Sequence, residues 1–214
     1  MKKATLAGAM AALALSGAAQ AELFDRGGGM IYDNDRNITW LADWNYAKTS
    51  GFDDDGGMDW DSAKAWAAGL EFGGFSDWRL PTALEPDGSG PCFSYTTGCS
   101  GSELGHMFYI ELGATQGNSI LTGDPAKLAL FTNMQNTYWS GTEYLSPDTN
   151  DATNYAWHMD MNSGFQNSVN KIYPLFSVAV RQGDVTTVVP EPETYLLYMA
   201  GFAWLATELR RRRS

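Results

Sequence analysis

Along the middle of the 214-residue chain, apolar positions recur with two different periods. In residues 62–70, Ala63, Trp66, Ala67 and Leu70 fall at i, i+3, i+4 and i+7, the spacing of one helix face. Asp59 and Asp61 stand just before them, where an N-cap and the positive end of the helix dipole favour carboxylates, and Gly73-Gly74 ends the run. A second helix is expected over about residues 102–112, with Leu104, Met107, Phe108 and Leu112 on one face, Glu103 in its first turn and Gly113 as its stop. Over residues 154–162 the period drops to two. Tyr155, Trp157, Met159 and Met161 alternate with Ala156, His158, Asp160 and Asn162, which predicts a strand with one apolar face. Residues 138–145 and 176–181 are similar short runs, and Asn162-Ser163-Gly164 is a turn signal. Near the start, residues 30–33 and 38–42 predict a hairpin around Asn34-Asp35-Arg36-Asn37. Two helices in the middle and antiparallel strands at both ends predict an α+β domain.

The two ends follow different rules. Residues 1–21 carry Lys2 and Lys3, then an apolar stretch without a polar face, then small residues closing on Ala19 and Ala21, the pattern that export machinery and signal peptidase read. The expected mature start is Glu22. At the other end, Pro190, Glu191 and Pro192 precede an apolar run over residues 195–209 and then four arginines, Arg210 to Arg213. This tail, residues 187–214, resembles the PEP-CTERM sorting signal of Gram-negative bacteria. The prolines keep its front extended and accessible, and the arginines resist translocation. A 15-residue helix reaches only about 22 Å against roughly 30 Å of hydrocarbon, so the run suits a temporary anchor better than a permanent one. The resemblance implies an exosortase acting at Pro190-Glu191-Pro192 on an inner membrane that holds the protein transiently, before it reaches the cell surface or extracellular matrix. An ordinary C-terminal membrane anchor is the alternative.

Charge narrows the partners. Between Glu22 and Thr186 there are eight basic residues against 22 acidic ones, a balance of −14, compared with −11 for the whole chain. Such a field repels polyanions, which excludes a nucleic-acid partner held through backbone phosphates. With 44% hydrophobic and 18% charged residues the chain is too apolar to be disordered. The two cysteines, Cys92 and Cys99, lie in the exported part, where an oxidising destination makes a local disulfide the default. A loop this short gains on the order of 2–3 kcal/mol at most from chain entropy.

Several patterns carry candidate chemistry. Asp53, Asp54, Asp55, Asp59 and Asp61 place five carboxylates within nine residues around Gly56-Gly57, and calcium favours such clustered oxygens. Asp53, Asp55 and Asp59 are the candidate calcium ligands, although a solvated loop leading into a capped helix explains the same residues. Neither this spacing nor Asp33-x-Asp35-x-Asn37 fits an EF-hand, because Ile38 stands where the tight turn needs glycine. His106 and His158 lack metal-ligand spacing to one another, and no nucleophile elbow, phosphate loop or zinc-protease pattern occurs, so no catalytic residue is assigned.

One series of landmarks is more specific: Asn37-Ile38-Thr39-Trp40-Leu41, Trp60, then Gly74-Phe75-Ser76-Asp77-Trp78-Arg79-Leu80-Pro81-Thr82, then Ser102-Glu103-Leu104, Tyr138-Trp139-Ser140-Gly141-Thr142 and Ala179-Val180-Arg181. Their order resembles the DUF1566 family, also called the Lcl C-terminal domain. The resemblance spans residues 31–181 and implies a C-type-lectin-like fold over residues 22–186, with no catalytic residue. Adhesive members of the family are associated with sulfated glycosaminoglycans, and the −14 charge departs from that pattern. The Asp77 to Thr82 segment reads as structural, with Trp78 and Leu80 in the core and Arg79 in an inward ion pair. Trp40 and Trp66 are also assigned to the core, whereas Trp139, Tyr144 and Trp157 remain open as surface rings that can stack on sugar faces. The expected role is a non-catalytic surface or matrix module that binds a neutral glycan, such as exopolysaccharide, or a surface protein. A purely structural matrix component and a hydrolase are the alternatives.

Overall fold

The computed structural model describes residues 22–93, 98–145 and 154–185. The expected leader with Ala19 and Ala21, and the expected sorting tail with Pro190, Glu191 and Pro192, lie outside them. No helix of the described residues is long and apolar enough to cross a membrane.

Two antiparallel sheets and several short helices make this an α+β fold. The first sheet contains β1 (Leu23–Asp25), β2 (Met30–Asp33), β3 (Ile38–Leu41) and β7 (Val180–Gln182), in that spatial order. The second contains β4 (Thr137–Glu143), β5 (Tyr155–Asp160) and β6 (Phe165–Asn170). The expected early hairpin is present, with Ile31 opposite Trp40 and Asp33 opposite Ile38. β7 returns to β3, pairing Val180 with Trp40, so the end of the domain lies against its beginning. Residues 176–181 form a strand only from Val180 onward. Before that, the chain bonds to one sheet and then the other: Trp139 N donates to Phe176 O (3.0 Å), and Leu41 N donates to Ala179 O (3.1 Å). This segment joins the two sheets.

The expected first helix is α2 (Trp60–Ala68), capped by Asp59, whose carboxylate accepts from Ser62 N at 2.8 Å. The second begins as α3 (Glu103–His106), capped by Ser102, and continues as a π-helical turn over Met107–Glu111, in which Leu112 N donates to Met107 O at 2.9 Å. Two helices are too few. α1 (Tyr46–Thr49), α4 (Pro125–Leu128) and a 3-10 turn (Ile120–Thr122) are also present, each too short to show an apolar period. β6 was hidden for a different reason: Phe165 and Val169 are its only apolar residues, and its buried residue is Gln166.

Aromatic rings fill the core. Trp40 stacks on Trp44 with ring centres 5.6 Å apart, and Trp44 meets Phe131 and Tyr138 edge-on. Among the described residues all seven tryptophans are buried, as expected for Trp40, Trp66 and Trp78 but not for Trp139 and Trp157. The Cys92–Cys99 disulfide is formed. α3 rests directly on its loop, because a Cβ on Gly105 would lie 1.7 Å from the Cys99 carbonyl oxygen.

His158 sits on β5 opposite Trp139, and burial pulls its pKa down to about 4 against a weaker opposing pull from Asp160. The folded protein therefore holds a neutral imidazole at pH values where the unfolded chain, with an ordinary value near 6.5, is protonated. Between these two values the unfolded state binds more protons, so stability is complete above about pH 6.5 and falls as the pH drops toward 4, by up to about 3 kcal/mol. Urea unfolding from pH 7 to 4 should show a slope that His158→Gln removes. Equal slopes in the two proteins would contradict this assignment.

Candidate functional site

Residues 79–92 cross the face between the sheets as an irregular strap, held by hydrogen bonds to several elements. Arg79 pairs with Val180 through both backbone groups at 2.8 Å, Gly141 N donates to Pro81 O at 2.8 Å, and Gln166 Nε2 donates to Cys92 O at 2.8 Å. The β4–β5 register shifts between Trp139 and Glu143, a bulge that frees Gly141 to face the strap instead of β5. Thr142 Oγ1 then accepts from Ala83 N at 2.9 Å.

Three cavities open along this strap. One, of about 480 Å³, lies among Asp35, Arg36, Thr82, Leu84, Glu85, Pro86 and Glu103. A second, of about 270 Å³, shares Thr82 and adds Lys64, Arg79 and Gly141. A third, of about 420 Å³, shares Leu84 and reaches Pro91, Thr142, Tyr144, Leu145 and Trp157. The shared residues make the three cavities neighbours along one grooved face, mostly apolar at the Trp157 end, where Glu143 is the one acid, and acidic at the Asp35 end.

The sequence candidates divide accordingly. Tyr144 and Trp157 meet edge-on at 5.6 Å in the third cavity, and Phe93 packs edge-on against Trp157 at 5.2 Å. Tyr144 is half-buried and Leu145 is exposed, but Trp157 shows only 4% of its surface and contributes to the cavity wall, not to a free face. Trp139 is fully buried, with its indole nitrogen donating to Met58 O at 2.9 Å, so it is a core residue and not part of a stacking platform. The calcium candidates are also spent locally. Asp53 accepts from Gly56 N at 2.7 Å and from Asp55 N, which holds its carboxyl below the usual range, Asp55 accepts from Gly57 N, and Asp59 caps α2. Their oxygens turn toward their own loop, and none belongs to a metal-competent cluster among the described residues.

The cluster that does converge lies elsewhere. Asp33, His106 and Glu111 are all buried, and one ligand atom from each comes within 4.8 Å of the others. His106 Nε2 is 3.4 Å from Glu111 Oε1, 3.9 Å from Asp33 Oδ2 and 3.3 Å from Asp35 Oδ2. Burial pushes the Asp33 carboxyl up, against the Arg36 backbone N–H that donates to its other oxygen. Burial also acts on Glu111, but His106 and Lys127 more than offset it, so that carboxyl lies below its ordinary value. Asp33-x-Asp35 was visible in the sequence. Its partners were not, because His106 and Glu111 are five residues apart, about 140° around an α-helix, and the π-helical turn is what brings them to one side.

The landmark segment is structural, as its residue types suggested. Arg79 meets Glu103 in a bidentate pair at 2.7 Å, Glu103 also accepts from Thr82 N at 2.7 Å, and Trp78 and Leu80 are buried. Asp77 receives two hydrogen bonds from Arg181, at 2.8 and 3.0 Å, and this guanidinium holds its carboxyl below the usual range.

The family model of the Lcl C-terminal domain matches residues 29–181. No curated protein and no solved structure matches the chain.

The Arg79 side chain retains 40% of its exposure while Glu103 keeps 10%, so the pair is not fully desolvated. Solvent screening lowers the cost of breaking it below the about 3–5 kcal/mol of a buried pair, to about 2 kcal/mol. Arg79→Ala should therefore lower the melting temperature by roughly 4–8 °C. An unchanged melting curve would contradict the pair's role.

Proposed function

Because the chain belongs to the Lcl C-terminal domain family, we propose that it is an exported, exosortase-processed surface or matrix protein whose acidic domain binds a neutral glycan without catalysis. The observation that carries this reading is the groove along residues 79–92, and above all its third cavity. There the Tyr144 and Trp157 rings, the exposed Leu145 and the Thr142 hydroxyl line about 420 Å³. Flat rings beside hydroxyl and carboxylate acceptors suit the apolar face and hydroxyl groups of a sugar. The −14 balance favours an uncharged polymer over a sulfated one. We read the fold as C-type-lectin-like. The presence of the first and last strands, β1 and β7, in one sheet and the irregular strap across one side support that reading. The sequence signals at residues 1–21 and 187–214 support processing at both ends and a transient stay in the inner membrane of a Gram-negative cell.

Affinity electrophoresis through neutral exopolysaccharide tests the binding. Tyr144→Ala should weaken retardation about fivefold, the worth of about 1 kcal/mol of ring contact, with the domain still folded and its melting temperature lowered only slightly by the lost packing on Tyr155 and Trp157. Binding should change little between low and physiological salt, and a heparin column should not retain the protein. Retention on heparin that collapses as salt rises, or an unaffected Tyr144→Ala variant, would overturn the reading.

A further inference from the structure

The Asp33, His106 and Glu111 cluster sits beneath the acidic end of the groove, and the arrangement of its polar atoms is unusual for a protein interior. The side chains of Asp33 and Glu111 have no exposed surface, and that of His106 has 3%. Asp33 Oδ2, His106 Nε2 and Glu111 Oε1 face one another without a hydrogen bond of normal geometry, although the imidazole attracts Glu111 and the Trp40 indole attracts Asp33. Buried polar atoms are normally satisfied, and a group of orphaned acceptors calls for a specific cause. The imidazole can satisfy at most one of them. A ring N–H donates along one in-plane direction, and here three carboxylate oxygens lie around the same nitrogen at 3.3, 3.4 and 3.9 Å. An ion that attracts equally in all directions can satisfy them together.

We propose that Asp33, His106 and Glu111 form a three-ligand binding site for one divalent transition-metal cation, with zinc as the best fit and Asp35 as a charged neighbour at its mouth. The ligand separations carry the choice of geometry. A tetrahedral ion with bonds of about 2.1 Å sets its ligands about 3.4 Å apart, which matches the 3.4 Å from His106 Nε2 to Glu111 and needs only a small closing of the 3.9 Å to Asp33, with the fourth position left to water. The donor set carries the choice of metal, because an imidazole nitrogen among carboxylates suits zinc and disfavours calcium, which takes oxygen ligands. Charge is consistent as well. Three carboxylates against Lys127, which donates to Glu111 Oε2 at 3.0 Å, leave a deficit that one divalent ion cancels. Asp35 marks the way in: its side chain is 48% exposed and lines the cavity of about 480 Å³, while the three buried ligands lie behind it.

The ion would staple the turn after β2 to α3 and its π-helical extension. This gives the π-helical turn a purpose, since such turns recur at functional sites and this one aligns Glu111 with His106.

The full chain, stripped with a chelator and dialysed, should bind one equivalent of zinc, measured by isothermal titration and by metal content. Zinc should raise its melting temperature where calcium does not, and cobalt in place of zinc should give the visible absorption of a tetrahedral site. Asp35→Asn, which removes the charge at the mouth of the site and is the change least able to disturb folding, should weaken zinc binding about tenfold. His106→Ala should abolish it. A wild-type chain that keeps no zinc, or two folded variants that bind it as tightly as wild type, would overturn the proposal and leave a metal-free ion network in its place.

Discussion

The bidentate contact between Arg79 and Glu103 holds three parts of the molecule in register. Through its backbone Arg79 is fixed to Val180 and hence to the first sheet, and through its guanidinium it is fixed to the first residue of α3. Glu103 in turn accepts from the Thr82 backbone, so the strap that lines the groove is set by the same carboxylate. The position of α3 decides where His106 and Glu111 point, and the strap decides the shape of the cavities. One charged contact therefore governs both the open groove and the buried cluster below it.

The elements with a strong period were legible in the sequence. The α2 face, the early hairpin and β5 follow from apolar spacing, and Asp59 caps α2 as its position before the apolar run suggested. The Asp77 to Thr82 segment was readable as structure because arginine beside tryptophan and proline offers a clamp and a stop. β6 was not readable because its inward residue is Gln166, held by the carbonyl oxygen of Cys92. The strand expected over residues 176–181 was shortened by a competition that no local pattern records, since successive residues bond to different sheets.

The candidate site was legible only in part. The chain is rich in aromatics, but the core takes all seven described tryptophans: Trp44 sits on Trp40 and against Phe131 and Tyr138, and Trp139 closes over Met58. Of the three rings the sequence left open, Trp139, Tyr144 and Trp157, only Tyr144, at the end of a bulged strand, keeps a partly open face. The acids misled in the opposite direction. The dense run around Asp53 and Asp55 satisfies its own loop, whereas the sparse pair Asp33 and Asp35 meets ligand atoms from a helix some 70 residues later, through a π-helical turn that helical periodicity cannot anticipate.

Amide hydrogen exchange of Glu103→Gln tests most directly whether this contact sets the helix. The substitution keeps the side-chain shape and removes the charge. Protection should fall most over residues 103–112, at amides such as His106 and Leu112, and fall less in β5 and β6, which are held by their own ladder. Unchanged protection over 103–112, or a loss spread evenly through β5 and β6, would contradict the account.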